Sequence, residues 1–228
     1  MLQRQPSCGC LFLFLYHNCA MKKTVVLGVL FILPLVVYLF FASGVNNFGK
    51  LPTLTPKIYW SEASSASALE GKISLIIFLG NAVDENKGYL FNFNQKIYKR
   101  FSEFEDFQTI LISSPDQELV LNEVLSELAT ITEVSRYRLV FVSNEMAQEM
   151  FGALQSPYEL DGNFSSSYVF ISDKNAALRG RKDDEDEGVK YAYDMRSVAE
   201  LNNKMEDDMK IILAEYRLAL KKNNANNP

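Results

Sequence analysis

Apolar residues run almost unbroken from Ser74 to Leu79, and from Lys87 onward they recur at every third or fourth position: Leu90, Phe93, Ile97, Phe101 and Phe104. The first pattern predicts a central strand covered on both faces, and the second a helix with one buried face. Between them the segment from Gly80 to Gly88 is polar and reads as a turn at the carboxyl end of the strand.

The same alternation continues along the chain. Phe107 to Ser113 predicts a second buried strand that stops at Ser114-Pro115. A helix from Asp116 follows, with Val120, Val124 and Leu128 on one face. Arg138 to Ser143 predicts a third strand, and Asn144 an N-cap for a short helix carrying Met146, Met150 and Leu154. Ser167 to Asp173 predicts a strand that turns at Asp173-Lys174-Asn175 and returns through Ala177 to Arg181 as a hairpin partner. An acidic loop leads to a short stretch, Val189 to Tyr193. Ser197 with Glu200 forms a capping box for the last helix, whose face carries Val198, Leu201, Met205, Ile212 and Tyr216. Strand-helix-strand-helix followed by a hairpin and a helix predicts an α/β domain over residues 69–222, with helices on both faces of a central mixed sheet.

The segments before the domain differ in kind. Thr24 to Ala42 holds no charged residue and is dominated by Val, Leu, Ile and Phe. At 1.5 Å per residue this run gives roughly 28 Å, close to the hydrocarbon thickness of a bilayer. Residues 21–44 are therefore expected to form one transmembrane anchor in the lipid bilayer. A signal peptide cleaved near Ala42-Ser43-Gly44 is the competing reading, against which the length of the apolar run argues. Lys22 and Lys23 place the N-terminus in the cytoplasm and the domain outside it, in the periplasm of a cell with two membranes. Residues 45–68 are expected to be a tether, with Ile58-Tyr59-Trp60 as an edge strand on the domain. Residues 1–20 differ in composition from the natural-looking start at Met21-Lys22-Lys23, and are expected to be a non-native extension. Residues 223–228 are expected to be a disordered tail.

Composition removes several chemistries. The only cysteines are Cys8, Cys10 and Cys19, and the only histidine is His17. Everything from Met21 onward therefore lacks thiol redox catalysis, disulfides, thiolate or imidazole metal sites, and any Ser-His-Asp or Cys-His apparatus. A formal net charge of -5 leaves no electrostatic footprint for nucleic acid. The run Asp183 to Glu187 lacks the alternating ligands and internal glycine of a calcium loop and reads as a solvated hairpin tip. Ser165, Ser166 and Ser167 sit in no nucleophile motif and read as the entry to a strand.

The segment Ser167 to Gly180, a hydrophobic strand reaching an acidic turn and returning to Arg179-Gly180, resembles the Sco/SenC family of membrane-anchored copper chaperones. Tyr193-Asp194 and the long helix from Ser197 match as well, and the front strand, turn and helix match in pattern. The resemblance spans about residues 70 to 228 and implies a thioredoxin-like domain behind a membrane anchor. The family holds copper through a Cys-x-x-x-Cys turn after the first central strand and a histidine before the later strand. By position these would fall near Val83 and Lys87 and near Ser165 or Ser166, none of which supplies a thiolate or imidazole.

No residue is therefore assigned as catalytic, cofactor-binding or metal-binding, no cofactor is expected, and the chain is read as a non-enzyme. The expected function is protein-protein interaction in the cell envelope of a bacterium, with respiratory oxidase assembly factors as the partners that the resemblance implies. The alternative is a copper carrier that uses methionines, Met146 and Met150 above all, with carboxylates in place of the missing site.

Overall fold

A computed structural model describes residue 23, residues 25–39, 49–60 and 69–226, with side chains as far as residue 219. The cysteines, His17 and the serines of the tether lie outside the described residues. The chain divides into two compact units, residues 1–47 and 48–228.

In the first unit residues 25–39 are helical, and their apolar side chains are exposed all round, from Val25 through Phe31 to Tyr38. Among the described residues no helix is both long and apolar enough to cross a membrane.

The second unit is built on a seven-stranded mixed sheet. Its strands are β1 (Thr53–Thr55), β2 (Ile73–Gly80), β3 (Phe107–Ser113), β4 (Tyr137–Phe141), β5 (Tyr168–Ser172), β6 (Leu178–Arg179) and β9 (Tyr193–Asp194). They lie in the order β1-β6-β5-β2-β3-β4, with β9 beside the end of β5. The run β2, β3, β4 is parallel, and β5 is antiparallel to β2, in register at Leu75 with Ile171 and Ile77 with Val169. A separate hairpin joins β7 (Arg181–Asp184) to β8 (Gly188–Lys190).

All eight residues of β2 are buried, as its unbroken apolar run requires of a strand with helices on both faces. Alternate residues divide between two cores. Leu75, Ile77 and Leu79 join one with Leu111, Val124, Leu128 and Met205. Ile76 and Phe78 join the other with Ile110, Ile112, Met150, Phe151 and Phe170. The helices are α1 (Val83–Phe93), α2 (Glu118–Ala129), α3 (Asn144–Gly152) and α4 (Glu206–Asn226).

Two helices carry π-helical turns. Asn94–Tyr98 follows α1 directly, and Leu201–Met205 joins the short turn Val198–Glu200 to α4. The wider π turn buries both Ile97 and Tyr98, where a pure α-helical pattern selects only Ile97.

The structure corrects the sequence reading at several places. The edge strand lies at Thr53–Thr55, paired with β6, while Ile58-Tyr59-Trp60 forms no strand. Ile58 is buried and Trp60 donates its indole N–H to the Met150 carbonyl at 3.1 Å, so these side chains anchor a coil and Tyr59 stays exposed. Residues 49–60, assigned to the tether, thus belong to the domain. Ser143, rather than Asn144, caps α3, accepting from the Met146 N–H.

On α2 the buried face runs through Leu121, Val124 and Leu128, with Val120 at its margin. Val198 is exposed, because it precedes the π turn that sets the face of the last helix. That helix continues to Asn226 without a Gly or Pro to stop it, past the expected start of the tail at 223.

Candidate functional site

The structure replaces the expected turn over Gly80 to Gly88 with a two-residue connection. α1 begins at Val83, and Asp84 and Glu85 occupy its first turn, where carboxylates favour the positive end of the helix dipole. Gly80 makes this connection possible. Its φ is +51°, and a Cβ there would strike the backbone of Asn163 and Phe164. The segment 161–166 is therefore laid directly across the end of β2, held by Asn81 N–H to the Asn163 carbonyl at 2.8 Å and Ser166 N–H to the Phe78 carbonyl at 2.9 Å. Phe164 takes a φ of 55° to make that crossing.

Helical spacing then decides which side chains meet. Asn86 faces the crossing segment and donates its Nδ2 to the Ala82 carbonyl at 2.8 Å and to the Ser165 hydroxyl at 3.3 Å. Ser165 donates in turn to Asp161 at 2.8 Å, and the other Asp161 oxygen accepts from the Asn163 and Ser165 N–H groups. Ala82 and Asn86 are thus the pair, four apart, that the segment before β5 overlies. The expected pair, Val83 and Lys87, is one residue out of phase. Val83 is buried in the core, and Lys87 is turned away to Glu127 at 2.7 Å. Ser165, named from the sequence, does lie in the site.

Above this triad opens a cleft of about 410 Å³. Glu85 and Tyr89 of α1 line one side, and Glu159, Asp161 and Tyr168 the other. The Tyr168 ring is stacked on Tyr158 at 4.2 Å. Tyr158 donates its hydroxyl to Glu187, and burial followed by that carboxylate pushes its pKa well above the ordinary tyrosine value. Arg196 closes the rim and grips Asp194 with three hydrogen bonds of 2.7 to 3.0 Å. Burial works to raise the Asp194 pKa, but the guanidinium and the Arg196 N–H outweigh it and hold the carboxyl below its usual range.

Asn86, Asp161, Tyr89, Glu159 and Arg196 were not selected from the sequence. The signal for Asn86 was its spacing of four from Ala82. For Asp161 it was the Asp-Gly-Asn-Phe-Ser run, whose leading carboxylate folds back onto its own backbone.

An amide, a hydroxyl and hard carboxylate oxygens offer no soft donor to copper(I). Among the described residues no group of three or more His, Cys, Asp or Glu is placed to hold a metal ion. The methionines of the alternative reading fill the cores. Met150, Met195, Met205 and Met209 are fully buried, and Met146 is partly buried against the same core as Met150. The four buried thioethers are closed off by packed side chains, whereas Met146 reaches the surface in part. The acidic run is likewise only partly a solvated tip. Asp184 is buried and bonded to Lys204 at 2.8 Å, whereas Asp186 is exposed.

No protein-family model matches the sequence, and no curated protein matches it. Solved structures with a similar fold include BsSco, a member of the Sco family of cytochrome c oxidase assembly proteins, at 10% identity over 71% of this chain and 97% of that one, with a TM-score of 0.46. Yeast Sco1 is similar at 16% identity, 62% and 86% coverage and a TM-score of 0.40. A thioredoxin-family thiol:disulfide interchange protein from Chlorobium tepidum TLS is similar at 16% identity, 69% and 97% coverage and a TM-score of 0.40. These neighbours are Sco-family and thioredoxin-family proteins. The sheet order and strand directions of this chain make its domain a mixed α/β fold.

Proposed function

We propose that this chain is a membrane-anchored, non-catalytic thioredoxin-like protein of Sco/SenC type that acts outside the cytoplasm by binding other proteins. One observation carries the reading. Where a Cys-x-x-x-Cys pair and a histidine would converge, Ala82, Asn86 and Ser165 converge instead, tied by hydrogen bonds into a redox-inert cluster. The fold keeps an open cleft at that point while the residues for metal and thiol chemistry are gone, which favours recognition over turnover.

The anchor is supported by the exposed apolar side chains of residues 25–39 and by the uncharged sequence that continues the run to Ala42. Assembly of a respiratory oxidase is the role implied by the resemblance of Ser167 to Gly180 to the family's strand-turn-strand.

Copper(I) competition tests the first half of the reading. The full chain, with Cys8, Cys10 and Cys19 replaced by serine and held in detergent, is expected to leave all copper(I) with a chelator such as bathocuproine disulfonate. Tight stoichiometric binding would overturn it. Crosslinking in native cells followed by mass spectrometry tests the second half. Oxidase subunits or copper-assembly proteins are the expected partners, and an unrelated envelope complex in their place would sink the assembly role.

A further inference from the structure

We propose that a second copy of this chain pairs with the open edge of β4, so that two sheets join antiparallel across a two-fold axis at Leu139. The inference goes beyond the proposed function. It concerns a like partner, and it holds or fails in the purified chain.

The sheet order leaves β4 at one end, with β3 as its neighbour on one side. The Arg136 carbonyl accepts from the Thr109 N–H, and Val142 donates its N–H to the Ser113 carbonyl. In a parallel pair this alternation turns Arg138 and Val140 toward β3, and the backbone groups of Tyr137, Leu139 and Phe141 toward the open side. Tyr137 spends its N–H on the Val134 carbonyl. Among the described residues no backbone group pairs with the N–H and C=O of Leu139 and Phe141 on that side.

The edge lacks the devices that keep strands apart. It has no proline, its register with β3 runs unshifted from Tyr137 to Phe141, and its one charged residue is Arg138. At the other end of the sheet β1 is three residues long and its register is broken. β4 is apolar on both faces. Leu139 and Phe141 pack at the rim of one core, and Val140 is buried in the other.

Symmetry selects a second copy. Antiparallel pairing centred on Leu139 sets the two Leu139 residues opposite each other, Tyr137 opposite Phe141, and Arg138 opposite Val140. Residues whose backbone faces the open side then meet as hydrogen-bonded pairs. Each Leu139 N–H donates to the Leu139 carbonyl of the other copy, and each Phe141 N–H to the other Tyr137 carbonyl. The Phe141 carbonyl, opposite the spent Tyr137 N–H, stays with water. Apolar side chains meet apolar side chains, and neither arginine stands opposite a like charge.

The test uses the full chain with Cys8, Cys10 and Cys19 replaced by serine, in detergent, with no other protein present. Sedimentation velocity over a wide concentration range is paired with hydrogen exchange resolved to single amides by mass spectrometry. A monomer–dimer transition is expected, with the Leu139 and Phe141 amides becoming protected as the dimer forms. The Tyr137, Arg138 and Val140 amides, bonded within the chain, are expected to exchange slowly at every concentration. Leu139→Pro removes the outward N–H and leaves the bonds to β3 in place, as edge strands accept. Leu139→Lys sets two like charges opposite each other. Each is expected to weaken dimerisation by roughly tenfold or more while the circular dichroism spectrum stays native.

A chain that is monomeric at every concentration would overturn the inference. So would a dimer whose Leu139 and Phe141 amides exchange as fast as in the monomer, or one that keeps its full strength in either folded variant. If neither variant folds, amide exchange in the native sequence decides alone. Copper binding or an unrelated envelope partner would overturn the proposed function and leave this outcome unchanged, so the two failures are distinguishable.

Discussion

Arg179 and Asp173 form an ion pair of 2.8 Å in which the side chains are only 7% and 4% exposed. Arg179 also donates Nε to the Leu51 carbonyl at 2.8 Å and a terminal nitrogen to Glu215 at 2.7 Å. The other Asp173 oxygen accepts from the Asn175 and Ala177 N–H groups of the turn. One guanidinium thus ties the β5–β6 hairpin, the segment before β1 and the last helix together. This is a physical reason for an acidic turn followed by Arg179-Gly180.

Arg179→Met is therefore expected to destabilise the chain by about 3–5 kcal/mol, because it leaves the Asp173 carboxylate buried without its partner. Urea unfolding followed by circular dichroism measures this as a lowered midpoint. Arg179→Lys is expected to recover only part of the loss, since an ammonium cannot span the three directions that the planar fork reaches.

Gly80→Ala is expected to lower the melting temperature and to move the 161–166 segment. The left-handed φ and the backbone against the missing Cβ act together, and neither can be relieved by a side-chain rotation. Loss of the Asn86 side-chain amide shift from its native position would register the displacement. An unchanged melting temperature and spectrum would refute it.

The alignment of the site is open to a gain-of-function test. In the cysteine-free background, Ala82→Cys, Asn86→Cys and Ser165→His together are expected to confer binding of one copper(I) per chain, read against the chelator. Val83→Cys and Lys87→Cys with the same histidine are expected to bind none, because Val83 is in the core and Lys87 faces Glu127.

Acid stability is expected to depend on Asp184. Burial works to raise its pKa, but Lys204 and the N–H groups of Asp186 and Glu187 outweigh burial and set it below the ordinary 3.8. A carboxylate with a depressed folded value contributes stability that is complete above the unfolded pKa and disappears as pH falls through the folded one. The stability gap between the native chain and Asp184→Asn should be constant from neutrality to about pH 5 and should close below pH 4. Urea midpoints taken across that range measure it, and a gap independent of pH would refute the assignment.

The central strands were legible because burial on both faces writes itself as an unbroken apolar run. Phe107–Ser113 was read to the residue, and Ser74 to Leu79 lies within Ile73–Gly80. What escaped depended on contacts between distant segments. Gly88 and the polar residues before it looked like a turn, yet Asp84 and Glu85 are also what a helix start prefers, and the segment 161–166 arriving over Gly80 fixes which applies. Asp184 belonged to an acidic run whose composition indicates solvent, and only Lys204, twenty residues on, marks it as an interior residue. Thr53–Thr55 carries too little hydrophobicity to announce a strand and gains its place by pairing with β6.

The two π turns make the molecule a register device. Each holds one residue more than an α-helical turn needs, and one residue rotates everything downstream by about 100° around the helix axis. Deleting a residue inside Leu201–Met205 would leave a better-formed helix while swinging Met209, Ile212 and Tyr216 off the face they now present to the core. The chain keeps a less regular helix because the phase of its last face is worth more than the ideality of its hydrogen bonds.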